Sequence, residues 1–257
     1  MNDAGQAVRD HEVAPQIGSG VVYPRRRAMR WFLRKLAALA LHLLGDVKVT
    51  GRENLPKEGP VILVANHFHF ADPVALLHLS RRQVEFVGGF RFPNAPAIVK
   101  FIPSLWGYLP AFRGGYSRST LKGAASVLEQ GGVLGIFPEA GAWADVLRPP
   151  RPGAAFLAVE SGAWVVPVGI DGFTLLFNKW RPRLEIRIGA PIGPFSADGA
   201  GSERRAELDG IGQEIMLAIA QLLPPERRGI YSEDAGLREA AEAVAAYPFS
   251  ERGMRGM

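Results

Sequence analysis

A histidine and an aspartate five positions apart, His67 and Asp72, stand in the segment Asn66-His67-Phe68-His69-Phe70-Ala71-Asp72-Pro73. That segment follows directly on a continuous apolar run, Val61-Ile62-Leu63-Val64-Ala65, of the kind that forms a strand buried on both faces. The carboxyl end of such a strand is where α/β folds place reactive groups. An aspartate at this spacing can turn back to the imidazole across one helical turn. If it accepts the Nδ1 proton it fixes the tautomer and leaves Nε2 free as a general base. A base so placed needs no Ser or Cys nucleophile when the substrate brings its own hydroxyl. Both residues also have plainer uses: Asp before Pro is a common helix start, and a histidine at a strand end can satisfy a carbonyl. The spacing alone leaves both uses open.

Other chemistries are poorly supplied. The chain has no cysteine, which removes disulfides, thiolate metal sites and cysteine nucleophiles together. His67-Phe68-His69 has a His-x-His spacing, but only His78 follows it, with His11 and His42 in the tail and arm. The further histidines of such a metal centre are missing, and no metal is expected. No Gly-x-Ser-x-Gly elbow occurs, so a serine hydrolase lacks its nucleophile turn.

The elements that must position His67 and Asp72 follow from the pattern. Val61-Ile62-Leu63-Val64-Ala65, Val84-Glu85-Phe86-Val87, Val133-Leu134-Gly135-Ile136-Phe137 and the run over 164–170 read as strands; Leu184-Glu185-Ile186-Arg187-Ile188 alternates as a half-buried edge strand does. Helices are predicted after Asp72, with Pro73 at the first position, over 121–130, stopped by Gly131-Gly132, and over 153–160. Leu208, Ile211, Ile215, Ile219 and Leu222 step by three or four and predict an amphipathic helix ended by Pro224-Pro225; a polar helix follows over 233–246. Strands alternating with helices predict an α/β fold, a central mostly parallel sheet flanked by helices. The divisions expected are a loose tail over 1–24, a helical arm over 25–45, the main domain over 46–225 and a helical extension over 226–257.

The 257 residues carry 30 Lys and Arg against 25 Asp and Glu, a net charge of +5. Six of the bases (Arg25, Arg26, Arg27, Arg30, Arg34, Lys35) fall in one stretch without an acid, and taking six from 30 leaves 24 against 25. The body is therefore near neutral. No nucleic-acid partner is expected, because that needs bases spread along a face. The basic stretch runs into Met29, Trp31, Phe32, Leu33 and an uncharged run of nine residues, 36–44, closed by Gly45. Crossing a bilayer takes about 20 apolar residues, so the arm does not span one by itself. It can lie in a membrane interface, cationic stems reaching the headgroups while Trp31, Phe32 and the leucines sit lower, each cation contributing about 1 kcal/mol at an anionic surface. The plainer use is an apolar helix docked on the body with its bases as the solvated end.

Over roughly residues 45–195 the sequence resembles the glycerolipid acyltransferase superfamily, whose members acylate lysophosphatidate, glycerol-3-phosphate and related lyso-lipids. His67 and Asp72 match its HxxxxD signature, with Asn66 and Pro73 as usual neighbours. Gly107-Tyr108-Leu109-Pro110-Ala111-Phe112-Arg113 resembles its second block, Phe137-Pro138-Glu139 the start of its third, usually FPEGTRS, and Val166-Pro167-Val168 its fourth. Arg151-Pro152-Gly153-Ala154 sits where members often carry a basic turn before a helix.

The resemblance implies the glycerol-3-phosphate acyltransferase-like fold and an O-acyltransferase, in which His67 deprotonates an acceptor hydroxyl that attacks the thioester of acyl-CoA or acyl carrier protein. The thioester is a co-substrate, so no bound cofactor is implied. Arg113 would hold the anionic headgroup of a lipid acceptor, since a guanidinium fork suits phosphate oxygens. Glu139 would position that acceptor, and Asn66, Gly141 and Arg151 would join it in binding substrate. The implied place is the cytoplasmic face of a membrane, peripheral or monotopic. The chain departs from the family where FPEGTRS reads Phe137-Pro138-Glu139-Ala140-Gly141-Ala142-Trp143: the glycine is displaced by one and the arginine is missing. The run Gly88-Gly89-Phe90-Arg91 likewise lacks a lysine that many members carry. Those losses favour an acceptor bulkier or less anionic than lysophosphatidate, unless Arg148 and Arg151 compensate from the adjacent loop. The reading of a different class is a non-catalytic membrane-surface module that keeps the fold without needing His67 or Asp72.

Overall fold

Val61, Leu63 and Ala65 face one side of the central strand and Ile62 and Val64 the other, and all five are buried. This is what a continuous apolar run requires of a strand covered on both faces. In the computed structural model, which describes residues 21–88, 105–110 and 118–245, that strand is β2 (Val61–Ala65). With β1 (Asp46–Thr50), β3 (Val84–Gly88), β4 (Leu109–Pro110), β5 (Val133–Ile136), β6 (Trp164–Asp171) and β7 (Arg183–Ile188) it forms one sheet, ordered β1-β7-β6-β2-β5-β3-β4. Neighbouring strands are parallel except β6 and β7. The carboxyl ends of β2, β5 and β6 therefore share one edge.

The helices are α1 (Arg27–Leu44), α2 (Asp72–Leu79), α3 (Arg118–Glu129), α4 (Gly153–Ser161), α5 (Ser202–Gln221) and α6 (Ala235–Ala245). Val127, Leu157, Ile215 and Ile219 of α3, α4 and α5 pack with Ile62 and Val64 on one face of the sheet. Leu41 of α1 and Ala75, Leu76 and Leu79 of α2 pack with Val61, Leu63 and Val166 on the other. Each such fully buried aliphatic side chain contributes about 1.5–3 kcal/mol.

Three sequence expectations change. The strand over 184–188 is not at the edge: β1 pairs with it outside, Val47 opposite Leu184, and β6 inside. Its alternation reflects one covered face. Residues 21–24 are not a loose tail, since Val21 is in the core and its carbonyl accepts from Gln130 Nε2 at 2.7 Å. Residues 226–231 are stitched to the main domain, Leu147 donating its N–H to the Arg227 carbonyl and accepting from Ile230.

The largest correction concerns the basic arm. Arg30 is fully buried; its Nη1 and Nη2 donate to the buried Glu85 carboxylate of β3 and its Nε to the Trp106 carbonyl at 2.9 Å. Arg25 also pairs with Glu85, at 2.8 Å, and Arg34 Nη1 donates to the carbonyls of Ser80 and Arg81. These cations bind α1 to the body. What α1 turns outward is mostly apolar: Trp31, Phe32, Leu36, Leu39 and Leu43 are exposed, with Arg27 and Lys35 exposed among them. No helix among the described residues is long and apolar enough to cross a membrane.

Candidate active site

The β2 strand ends at Ala65, and the chain turns through residues 66–71 into α2. Asn66 fixes where that turn starts. Its Nδ2 donates to the Ile170 carbonyl at 2.8 Å and its Oδ1 accepts from the Ile170 N–H at 2.7 Å, joining the ends of β2 and β6. Asn66 thus acts on the main chain.

Asp72 fixes the rest. Its Oδ2 accepts the N–H groups of Phe68 and His69, each at 2.7 Å, and faces His67 Nδ1 at 3.1 Å. Although α2 begins here with Pro at its start, Asp72 caps no helical N–H; its carboxylate is turned into the loop. A carboxylate only accepts, so Nδ1 carries the proton and Nε2 presents a lone pair. Among the described residues Nε2 has no hydrogen-bond partner, and the ring stacks on Phe137 at 4.3 Å between centroids. His69 turns away to Phe70, ring centroids 4.2 Å apart, and burial holds its imidazole below the usual histidine value despite the nearby Asp72.

Glu139 arrives from the carboxyl end of β5. It is fully buried: Oε1 accepts the His67 N–H at 2.9 Å, and Oε2 accepts the Arg148 N–H at 3.1 Å. Oε2 also lies 3.1 Å from Arg148 Nε in a buried ion pair. Burial pushes the Glu139 carboxyl up to about 7, with the Arg148 cation acting against it. Arg148 Nη2 donates to the Gly141 carbonyl and, at 3.4 Å, to that of His67, while its guanidinium lies 3.7 Å over the Trp143 ring. The ion pair therefore holds both the N–H and the C=O of His67. Asp72 Oδ1 and Arg148 Nη1 are buried without a hydrogen-bond partner among the described residues.

Of the residues expected from sequence, His67, Asp72, Asn66, Glu139 and Gly141 come together at one sheet edge. Glu139, expected to position the acceptor, has both carboxylate oxygens engaged by the His67 and Arg148 main chain. Arg148, expected as a replacement headgroup cation, is committed to Glu139 and Trp143. Arg151 is exposed and its N–H donates to the Pro138 carbonyl at 2.8 Å. Arg113 lies outside the described residues. The sequence reading missed the Arg148–Glu139 pair; its one signal was an arginine set directly between the apolar Val146-Leu147 and Pro149-Pro150. Among the described residues no cluster of His, Asp and Glu has the makings of a metal site.

A family model described as Acyltransferase matches residues 46–171. A 1-acyl-sn-glycerol-3-phosphate acyltransferase of Bacillus subtilis (strain 168) is 25% identical over 195 residues, covering 74% of this chain and 95% of the relative. A protein of the same description from Chlamydomonas reinhardtii is 29% identical over 224 residues, 82% of this chain and 63% of its own length. The crystal structure of the 1-acyl-sn-glycerophosphate (LPA) acyltransferase PlsC from Thermotoga maritima superposes with a TM-score of 0.52 at 24% identity, covering 76% of this chain and 83% of that one, and so shares the fold.

Proposed function

We propose, on the family match and the two relatives, that the chain is an O-acyltransferase of the glycerolipid superfamily and moves a fatty acyl group from an acyl thioester to the free hydroxyl of a lysophospholipid of the 1-acyl-sn-glycerol-3-phosphate type. The observation that carries this reading is the His67 Nδ1–Asp72 Oδ2 contact of 3.1 Å at the end of β2. Asp72 holds the proton on Nδ1, and Nε2 takes the proton of the acceptor hydroxyl. The alkoxide oxygen attacks the thioester carbonyl carbon, the C–S bond breaks, and the thiolate of coenzyme A or acyl carrier protein leaves with the proton from the imidazolium. An ester and a free thiol result. Holding acceptor and donor against the base supplies much of the acceleration.

The acceptor is a lipid, and the exposed apolar face of α1 supports a peripheral attachment to the cytoplasmic face of a membrane. One feature favours an acceptor bulkier or less anionic than 1-acyl-sn-glycerol-3-phosphate itself: the third block has lost its arginine, and of its two candidate replacements Arg148 is buried against Glu139 and Trp143, which leaves only the exposed Arg151. Acyl-CoA and acyl carrier protein donors, crossed with 1-acyl-sn-glycerol-3-phosphate and lysophospholipids of larger headgroup, test both statements. Transfer is expected in the wild type and is expected to fall about 10²–10⁴-fold in His67→Ala. A wild type inactive with every pair, yet bound to vesicles, would instead fit a non-catalytic membrane module. The smallest acceptor proving best would dispose of the bulkier-acceptor reading.

A further inference from the structure

The connection from β6 to β7 leaves the sheet at the edge where His67 lies and turns back toward α1. Phe177, Asn178, Lys179, Trp180 and Arg181 are all exposed, and Trp180 is 92% exposed, the highest of any large apolar side chain among the described residues. The loop is nevertheless fixed at both ends. The N–H groups of Asn178 and Lys179 donate to the Leu175 carbonyl at 3.0 Å, and the Pro182 carbonyl accepts from Asp46 at 2.9 Å. Arg181 takes a left-handed φ of 44°, a conformation that costs a residue with a Cβ about 1–2 kcal/mol. Structure is thus committed to a turn whose tip buries nothing.

Its two flanks touch the two features that matter. On one side Phe177 stacks on Phe70, ring planes 9° apart, and lies 6.0 Å from His69, both residues of the loop that carries His67. On the other side Arg181 Nη2 donates to the His42 carbonyl at 3.3 Å, at the last turn of α1 beside the exposed Leu43 and Leu44. A band of exposed apolar side chains therefore runs from the outer face of α1 over Trp180 to Phe177 at the lip of the site.

We propose that Trp180 is a second membrane contact, seated at the lipid–water interface beside α1, which turns the mouth of the His67 site toward the bilayer so that the acceptor enters through the Phe70–Phe177 lip. The chemistry fits that occupant. Tryptophan has an apolar body and a polar N–H, the combination enriched at membrane interfaces. Lys179 beside it matches anionic headgroups, and its stem can reach up while the indole sits lower; Arg181, held on α1, adds positive charge at the same place. One amphipathic helix sets depth and only loosely sets the tilt of the body about its axis; a contact off that axis tightens it. The proposal rests on a lipid acceptor, and its test keeps the two apart.

The full chain and its Trp180→Ala and Trp164→Ala variants are sedimented with vesicles of phosphatidylcholine, with and without phosphatidylglycerol, and assayed on two acceptors: a long-chain lysophospholipid in those vesicles and a short-chain one in monomeric solution. Trp164, exposed at the opposite end of β6, is the control. Trp180→Ala is expected to bind vesicles about tenfold more weakly and to raise the apparent KM for the vesicle acceptor. It should leave transfer to the monomeric acceptor and the melting temperature unchanged, and Trp164→Ala should change neither binding nor KM. Vesicle binding by Trp180→Ala equal to wild type overturns the proposal. So does a wild-type dimer that Trp180→Ala dissociates with vesicle binding intact, which would make the band a contact between two copies. Failure of transfer to the monomeric acceptor in the wild type would count against the acyltransferase reading and not against the membrane contact.

Discussion

Glu139 accepts the main-chain N–H of His67 at 2.9 Å, so the third block of the sequence holds the first by its backbone. Arg148, paired with Glu139, takes the carbonyl on the other side of the same residue. The imidazole is oriented by Asp72, and the peptide that carries it is held by an ion pair from a different loop. Freedom lost by the peptide is freedom the ring does not have to lose when the acceptor binds.

Arg148→Met should therefore damage both fold and turnover. It strands the Glu139 carboxylate in a buried place, and removing one partner of a buried pair costs about 3–5 kcal/mol. Denaturant unfolding should show the loss, and adding Glu139→Gln should recover a large part of it. In kinetics, kcat is expected to fall more than KM rises, because the pair holds the main chain of His67. A pure KM effect would return Glu139 and Arg148 to the headgroup.

His67→Ala and Asp72→Ala are expected to separate chemistry from architecture. Among the described residues the imidazole donates only to Asp72, and it lies partly exposed against Phe137, so its removal should cut transfer about 10²–10⁴-fold with little change in stability. Asp72 also supports the N–H groups of Phe68 and His69. Its loss leaves two amide donors without their acceptor, at about 1–3 kcal/mol each if they stay buried. Thermal melts of the two variants should differ accordingly, while both lose activity.

Glu85→Gln should loosen α1. That carboxylate takes the guanidinium groups of Arg25 and Arg30, the second fully buried. Neutralising it leaves Arg30 charged and unpaired, again at about 3–5 kcal/mol. Proteolysis within 27–44 should quicken before the rest of the chain is cut.

These predictions mark what the sequence could convey. The His67–Asp72 contact was legible because it needs only two residue types at one spacing behind a buried strand. The strands β2, β5 and β6 were legible because burial on both faces forces continuous apolar runs. The destination of the basic residues was not. Arg30 and Arg34 look like surface charges in a sequence, since arginine is almost never fully buried without a partner, and the partner, Glu85, lies 55 positions from Arg30. Nor was the use of Glu139 legible: a carboxylate that binds a substrate hydroxyl and one that binds a main-chain N–H are the same letter.

The buried carboxyl also predicts a pH dependence. Burial raises Glu139 from its ordinary 4.5 to about 7. A carboxyl with a raised folded value binds more protons folded than unfolded between those two limits, so its contribution makes stability fall as pH rises from about 4.5 to about 7 and stay level above. The slope has a ceiling of about 1.4 kcal/mol per pH unit. His69, its folded value lowered, works the other way below its ordinary 6.5, so the quantity to read is the difference between wild type and Glu139→Gln. That difference should slope across this window and flatten above it. A flat difference throughout would mean that the Glu139 carboxyl titrates at its ordinary value.

Ala140 stands where the family's third block has its glycine, and it adopts a left-handed φ of 60°. The turn closes with its N–H on the Phe137 carbonyl at 3.0 Å, immediately beside Glu139. A Cβ in that conformation costs about 1–2 kcal/mol, and its methyl is exposed, so packing returns little. Ala140→Gly is expected to stabilise the protein by about 1 kcal/mol, after the added freedom of glycine in the unfolded chain is counted, with turnover unchanged. Gly141 is not the same glycine moved by one. Its φ is not left-handed, and a Cβ there would meet the Trp143 ring at 2.6 Å. Gly141→Ala should therefore push the indole from beneath the Arg148 guanidinium, which a shift in tryptophan emission would report, and weaken the grip on His67 from a position that touches neither residue of the pair.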